Sequence, residues 1–133
     1  MILIFLAICI TAYAQKEPKP KTPNVDKAKT MLDKGDLQGA KAIIDDALTF
    51  DKTKDKAKTQ YYAGLLYESI YYQQDSAHLA TIDSMAYEKC VQAFKKVKTL
   101  ENQLGAYYNF AEIRLNKMYS YIFNRAAKEY QNQ

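Results

Sequence analysis

Two pieces of sequence, Ala63-Gly64-Leu65-Leu66-Tyr67 and Cys90-Val91-Gln92-Ala93-Phe94-Lys95-Lys96-Val97, decide how this chain folds. Both lie within Ala57–Thr99, and both read as helix. Around the first, Tyr61, Tyr62, Leu65, Leu66, Tyr67, Ile70, Tyr71 and Tyr72 leave little polar face over about residues 53–73. A helix apolar nearly all round has to be covered on both sides. Around the second, Ala86, Cys90, Ala93, Phe94 and Val97 recur at helical spacing and form one inward stripe over about residues 83–100. Gly64 and Cys90 are small where two helices would cross. A larger side chain at such a crossing overpacks it by roughly 1–3 kcal/mol.

Upstream, the same reading gives a shorter pair. Thr22-Pro23 offers an N-cap followed by proline at the first helical position, and Val25, Ala28, Met31 and Leu32 make one stripe to about Lys34. Gly35-Asp36 then closes that helix and caps the next, because glycine relieves a helix end and aspartate accepts freed amides. The second helix, about residues 37–50, buries Leu37, Ala40, Ile43, Ile44, Ala47 and Leu48. Downstream of Gly105 a single stripe continues through Tyr107, Phe110, Ala111, Met118, Ile122, Ala126 and Tyr130.

These positions resemble the tetratricopeptide repeat (TPR). Ala28, Gly35, Asp36, Ala40, Ile44 and Ala47 keep the spacing of one unit, with Ala40 twelve residues after Ala28. Gly64, Tyr67, Cys90, Phe94 and Val97 match a second, and Gly64 follows Ala28 by 36 residues, near the 34-residue period. Gly64 to Cys90 is 26 residues rather than 12, so 14 are inserted around Gln73–Ser84. Phe123–Tyr130 resembles the first helix of a third unit, with Ala127 in the small position and Tyr130 three later. A second phasing puts the small residue at Ala111. The resemblance implies an all-α fold of antiparallel helix pairs stacked as a short TPR-like α-solenoid. Residues 24–133 form that domain, in units of about 24–52, 53–104 and an incomplete 105–133.

By the same resemblance, first helices line a concave groove that holds a peptide or partner protein. Lys29 and Leu32 would come from the first unit, Lys58, Tyr61, Leu65 and Glu68 from the second, and Asn124 and Lys128 from the third. The Lys/Asn clamp of chaperone-tail-binding relatives is not reproduced, since Val25 and Lys29 occupy its positions. The implied role is a non-enzymatic interaction scaffold without metal or cofactor. A rival role is an envelope module that binds an anionic polysaccharide through Lys- and Tyr-rich faces.

Composition agrees with a helical domain. Of 133 residues, 48% are hydrophobic, and all three prolines precede residue 24. Twelve tyrosines against five phenylalanines suit half-buried rings whose hydroxyls reach water. The net charge of +4 comes mainly from lysines with acidic neighbours, and only Arg114 and Arg125 offer the bidentate groups nucleic-acid readers favour. Nucleic acid is therefore not an expected partner.

Met1–Ala14 is apolar, too short to span a bilayer, and ends in Ala12-Tyr13-Ala14, which fits signal-peptidase cleavage after Ala14. A lipid anchor at Cys9 is disfavoured by bulky Ile8. The expected product is exported, periplasmic or secreted, with no membrane span after cleavage. Residues 15–23 then form a basic, proline-rich linker, and Cys90 stays behind as a lone packed thiol. His78, the only histidine, shares the Asp75–Thr81 loop with Asp75 and Ser76, but adjacency in sequence is not a catalytic triad. Glycines are isolated, so no phosphate loop exists.

Overall fold

The computed structural model describes residues 21–77 and 82–132, and within them all the regular secondary structure is α-helix. The expected signal segment with Ala12 and Ala14, most of the linker, and His78 lie outside the described residues. Five helices follow one another: α1 (Val25–Asp33), α2 (Leu37–Thr49), α3 (Ala57–Ala77), α4 (Ala86–Leu100) and α5 (Tyr108–Gln131). Among the described residues no helix is long and apolar enough to cross a membrane.

Local chemistry explains each boundary. Asn24, not Thr22, caps α1, with its side chain accepting from the Lys27 amide at 3.0 Å. An asparagine one residue before the helix reaches a free amide that Thr22 cannot. Gly35 takes the left-handed conformation (φ +81°), which a side chain would strain, and Asp36 caps α2 by accepting from Gly39 N–H at 2.9 Å. The third helix starts at Ala57 rather than Thr53. The buried Thr53 hydroxyl donates to the Ala47 carbonyl at 2.7 Å, which fastens residues 53–56 as a turn against the end of α2. The fourth starts at Ala86 rather than Asp83. Both backbone groups of Asp83 are held by the Gln74 amide, at 2.7 and 3.1 Å, and its carboxylate accepts from Met85 N–H.

Packing follows from the pairing of stripes. Tyr61 meets Phe94 and Tyr71 meets Tyr87, so α3 and α4 are antiparallel. Lys98 near the end of α4 reaches Glu112 near the start of α5, so this pair is antiparallel too. The odd-numbered helices run the same way: Tyr61–Tyr107, Glu68–Arg114 and Tyr72–Tyr121 occur in the same order along α3 and α5. The starts of α1 and α3 lie together through Asp26 and Lys58. One core runs through the stack, with Ala28, Ile44, Leu66, Tyr67, Ile70, Cys90, Phe94, Val97 and Met118 all buried.

α3 and α4 approach closely at Gly64. A Cβ built on Gly64 would stand 2.4 Å from the ring of the fully buried Phe94. Ala40, Ala47 and Cys90 are likewise enclosed.

The last helix differs from expectation. Its buried residues are Ala111, Leu115 and Met118, whereas Phe110 is 57% and Tyr130 81% exposed. Ala111 is the small residue enclosed opposite the core, and Ala127 is not. The reason is register. Asp26 and Lys58 are 32 residues apart, while Glu68 and Arg114 are 46 apart, a difference of 14. The 46-residue offset sets Phe110 and Ala111 abreast of Gly64 and leaves Phe123–Tyr130 beyond that point.

Candidate binding face

The odd-numbered helices bring together a face built on α3. The ammonium of Lys58 bridges to Asp26 on α1 at 2.6 Å and lies 5.7 Å from the Tyr62 ring centroid. Its bond to Asp26 holds the Lys58 pKa above the ordinary lysine value. Tyr61 and Tyr62 both meet Tyr107, with centroids 5.1 and 6.4 Å away, and Tyr61 also meets Phe110 at 6.3 Å. Burial, and then the charge of Tyr62, raise the Tyr107 pKa, so its hydroxyl stays neutral across the physiological range. A cation and four aromatic rings from two stretches of sequence, residues 58–62 and 107–110, therefore share one surface.

Two turns further along, Glu68 and Arg114 form an ion pair at 3.0 Å. The Glu68 side chain is 4% exposed, and its second oxygen has no hydrogen-bond partner. Beyond it, Tyr72 packs edge-on against Tyr121 at 4.9 Å, with Lys117 5.7 Å from the Tyr72 centroid. Arg125 donates to the Tyr71 hydroxyl at 3.3 Å. The pair Tyr71-Tyr72 beside the insertion is thus part of the α3–α5 contact.

The expected groove residues separate accordingly. Lys58 and Tyr61 come together, and Leu65 is half-buried on the same helix. Glu68 is enclosed against α5 and cannot be presented in an open groove. Lys29 is tied to Asp33 at 2.5 Å on α1, and Leu32 packs against the core. Asn124 and Lys128 are exposed about 20 Å or more along α5 from Phe110, at 1.5 Å per residue, so they stand apart from the Lys58 cluster. The residues missed by sequence reasoning are Asp26, Tyr62, Tyr107, Phe110 and Arg114. Placing the small residue of the third unit at Ala111 would have brought Tyr107, Phe110 and Arg114 opposite α3.

The even-numbered helices leave a second feature, a cleft of about 530 Å³ between α2 and α4 with Tyr67 of α3 in its wall. Asp45 accepts from the Tyr67 hydroxyl and pairs with Lys41 at 2.5 Å. Lys41 also faces Asp83 at 3.4 Å, and Lys89 reaches Asp83 at 2.6 Å. Burial alone would raise the Asp83 pKa, but the bonds from Lys89 and Met85 N–H hold it below the ordinary value. This network ties α2, α3 and α4 to the first residues after the insertion. It leaves the polar groups in pairs and offers no free nucleophile or base. Among the described residues, no three His, Cys, Asp or Glu side chains converge as metal ligands. Burial, and then the negative charge of Glu68, push the Cys90 thiol far up.

Compared with family models, curated proteins and solved structures, the chain matches none.

Proposed function

We propose that the chain is an exported, TPR-like helical scaffold that holds a peptide or partner protein against its odd-helix face. Consecutive antiparallel helices, with the odd ones parallel, give support to a repeat array, and the small residues Ala28, Ala40, Gly64 and Cys90 sit at its crossings. One observation carries the reading: Lys58, Tyr61, Tyr62, Tyr107 and Phe110 converge from separate helices, and Phe110 remains 57% exposed. Such a surface offers flat apolar contact beside a cation, which suits an extended or acidic peptide. No chemistry beyond binding is needed.

The test is a screen of short synthetic peptides, acidic and neutral, against the chain and two variants of this face, Lys58→Glu and Phe110→Ser. Both replaced side chains reach solvent, so circular dichroism should be unchanged. Peptide binding that weakens at least tenfold in both variants, but not in Lys96→Ala on the α2–α4 cleft, supports the proposal. Binding to dextran sulfate alone, falling steeply with salt, would replace it by polyanion binding.

A further inference from the structure

The starts of α1 and α3 enclose a cavity of about 410 Å³, walled by Asn24 and Asp26 on one side and by Thr53, Lys56, Lys58 and Thr59 on the other. A helix start presents amides without intrahelical acceptors and carries about half a positive elementary charge. Asn24 and Asp36 each relieve their own helix by accepting from an amide of its first turn. The residue before α3 is Lys56, whose side chain can only donate. Among the described residues, nothing accepts from the amides of Ala57, Lys58 and Thr59.

A second observation points the same way. Thr59 is 1% exposed and lies in the cavity wall, yet among the described residues its hydroxyl has no hydrogen-bond partner. Buried hydroxyls are nearly always bonded, because giving up water without a replacement is unfavourable. Thr53, buried in the same wall, has its hydroxyl satisfied by the Ala47 carbonyl at 2.7 Å. The Thr59 hydroxyl is thus a donor without an acceptor, at the place where three amides also lack one.

From this convergence we propose that the cavity binds the phosphate group of a small soluble molecule. Phosphate offers acceptor oxygens on all sides, which suits donors arriving from two helices. The charges match as well. Lys56, Lys58 and Asp26 all line the cavity, and with the two helix starts they leave a balance of about two positive charges. A phosphate monoester carries about two negative charges at neutral pH. Asp26 already holds the Lys58 ammonium at 2.6 Å, so a bound phosphate shares that ammonium with it. Lys56 is exposed and has no ion pair among the described residues, so it can reach inward without breaking one. The volume exceeds the roughly 300 Å³ at which small-molecule sites begin, which leaves room for the group that carries the phosphate.

Backbone amide NMR of the chain, titrated with inorganic phosphate and with glycerol phosphate at constant ionic strength, tests this. Saturable shifts centred on Val25, Asp26 and Ala57–Thr59, absent with chloride, are expected. Thr59→Val keeps the side-chain shape and removes the donor, so it should weaken binding about tenfold without lowering thermal stability. Lys56→Ala should also weaken it, and Asp26→Asn, which removes a like charge, should tighten it. Lys128→Ala, near the far end of α5, should bind as the parent does. Shifts that chloride reproduces, shifts spread over lysines in general, or parent-like binding by Thr59→Val overturn the proposal. So do shifts caused by phosphatidic acid vesicles and not by glycerol phosphate, because the phosphate would then belong to a membrane. Lys56 and Thr59 lie outside the face proposed for peptide, so either reading can fail while the other holds.

Discussion

Replacing Gly64 by alanine adds one methyl group at the point where α3 crosses α4. The new Cβ would lie 2.4, 2.5 and 2.7 Å from three carbons of the Phe94 ring. Unbonded carbons rest at about 3.5–4.0 Å, so each contact is short by roughly 1 Å. The ring cannot swing aside, because Phe94 is fully buried and Tyr61 stands 5.9 Å from it. The helices must separate, and overpacking of this kind costs about 3 kcal/mol at the upper end of its usual range. Alanine returns about 1 kcal/mol through better helix propensity. The net loss is about 2 kcal/mol, or a fall of roughly 10 °C in the melting temperature of a domain this size. Thermal and urea unfolding followed by far-ultraviolet circular dichroism measure it. Phe94→Leu alone should also destabilise, but the double variant should lose less than the sum, with a coupling of about 1–2 kcal/mol. A Gly64→Ala protein as stable as the parent would show that α3 and α4 do not approach closely, and the small-residue argument would fail.

Three further outcomes are expected. Arg114→Ala leaves the Glu68 carboxylate buried without its cation. Losing a buried partner costs about 3–5 kcal/mol, reduced here to about 2 kcal/mol because Arg114 is 39% exposed. Adding Glu68→Gln should restore part of the lost urea midpoint, and no change in Arg114→Ala would remove the ion pair from the account. For Asp83, a pKa held below the ordinary value contributes stability above about pH 4, which is lost as pH falls through the folded value. Urea midpoints of Asp83→Asn should therefore lie below the parent from pH 5 to 8 and converge with it below pH 4; parallel curves would contradict the paired carboxylate. Cys90 should react with a disulfide reagent at pH 8 only as fast as the protein opens, and at once in denaturant. Rapid labelling of the folded chain would show that the thiol is not enclosed.

Most of the architecture could be read from residue types. The Gly35-Asp36 turn, the paired stripes of α1 with α2 and α3 with α4, and the small residues at their crossings all follow from periodicity and size. Periodicity fixes which face of a helix is apolar, so these segments left few alternatives. Helix starts were harder, because they depend on single side-chain bonds: Thr53 to Ala47, Asn24 to Lys27, Gln74 to Asp83. The face around Lys58 was half legible. Lys58 and Tyr61 belong to one helix and stay together under any register. Their neighbours Tyr107 and Phe110 come from α5, and no local pattern fixes how far a later helix slides along an earlier one.

Fourteen extra residues separate Gly64 from Cys90 compared with Ala28 and Ala40. Fourteen is also the difference between the 32-residue offset from α1 to α3 and the 46-residue offset from α3 to α5. The extra length is therefore taken up in the longer α3 and its connection to α4, while the order of helix neighbours is kept. Asp83, the residue at which the chain rejoins the stack, is held by Gln74, Lys41 and Lys89, from the three helices α3, α2 and α4. A segment anchored in this way can vary in length without moving the crossing at Gly64. Which residues of α5 meet Tyr61 and Glu68 is set after α4, where Glu101 accepts from Tyr107 N–H at 2.8 Å and Lys98 pairs with Glu112 at 2.8 Å.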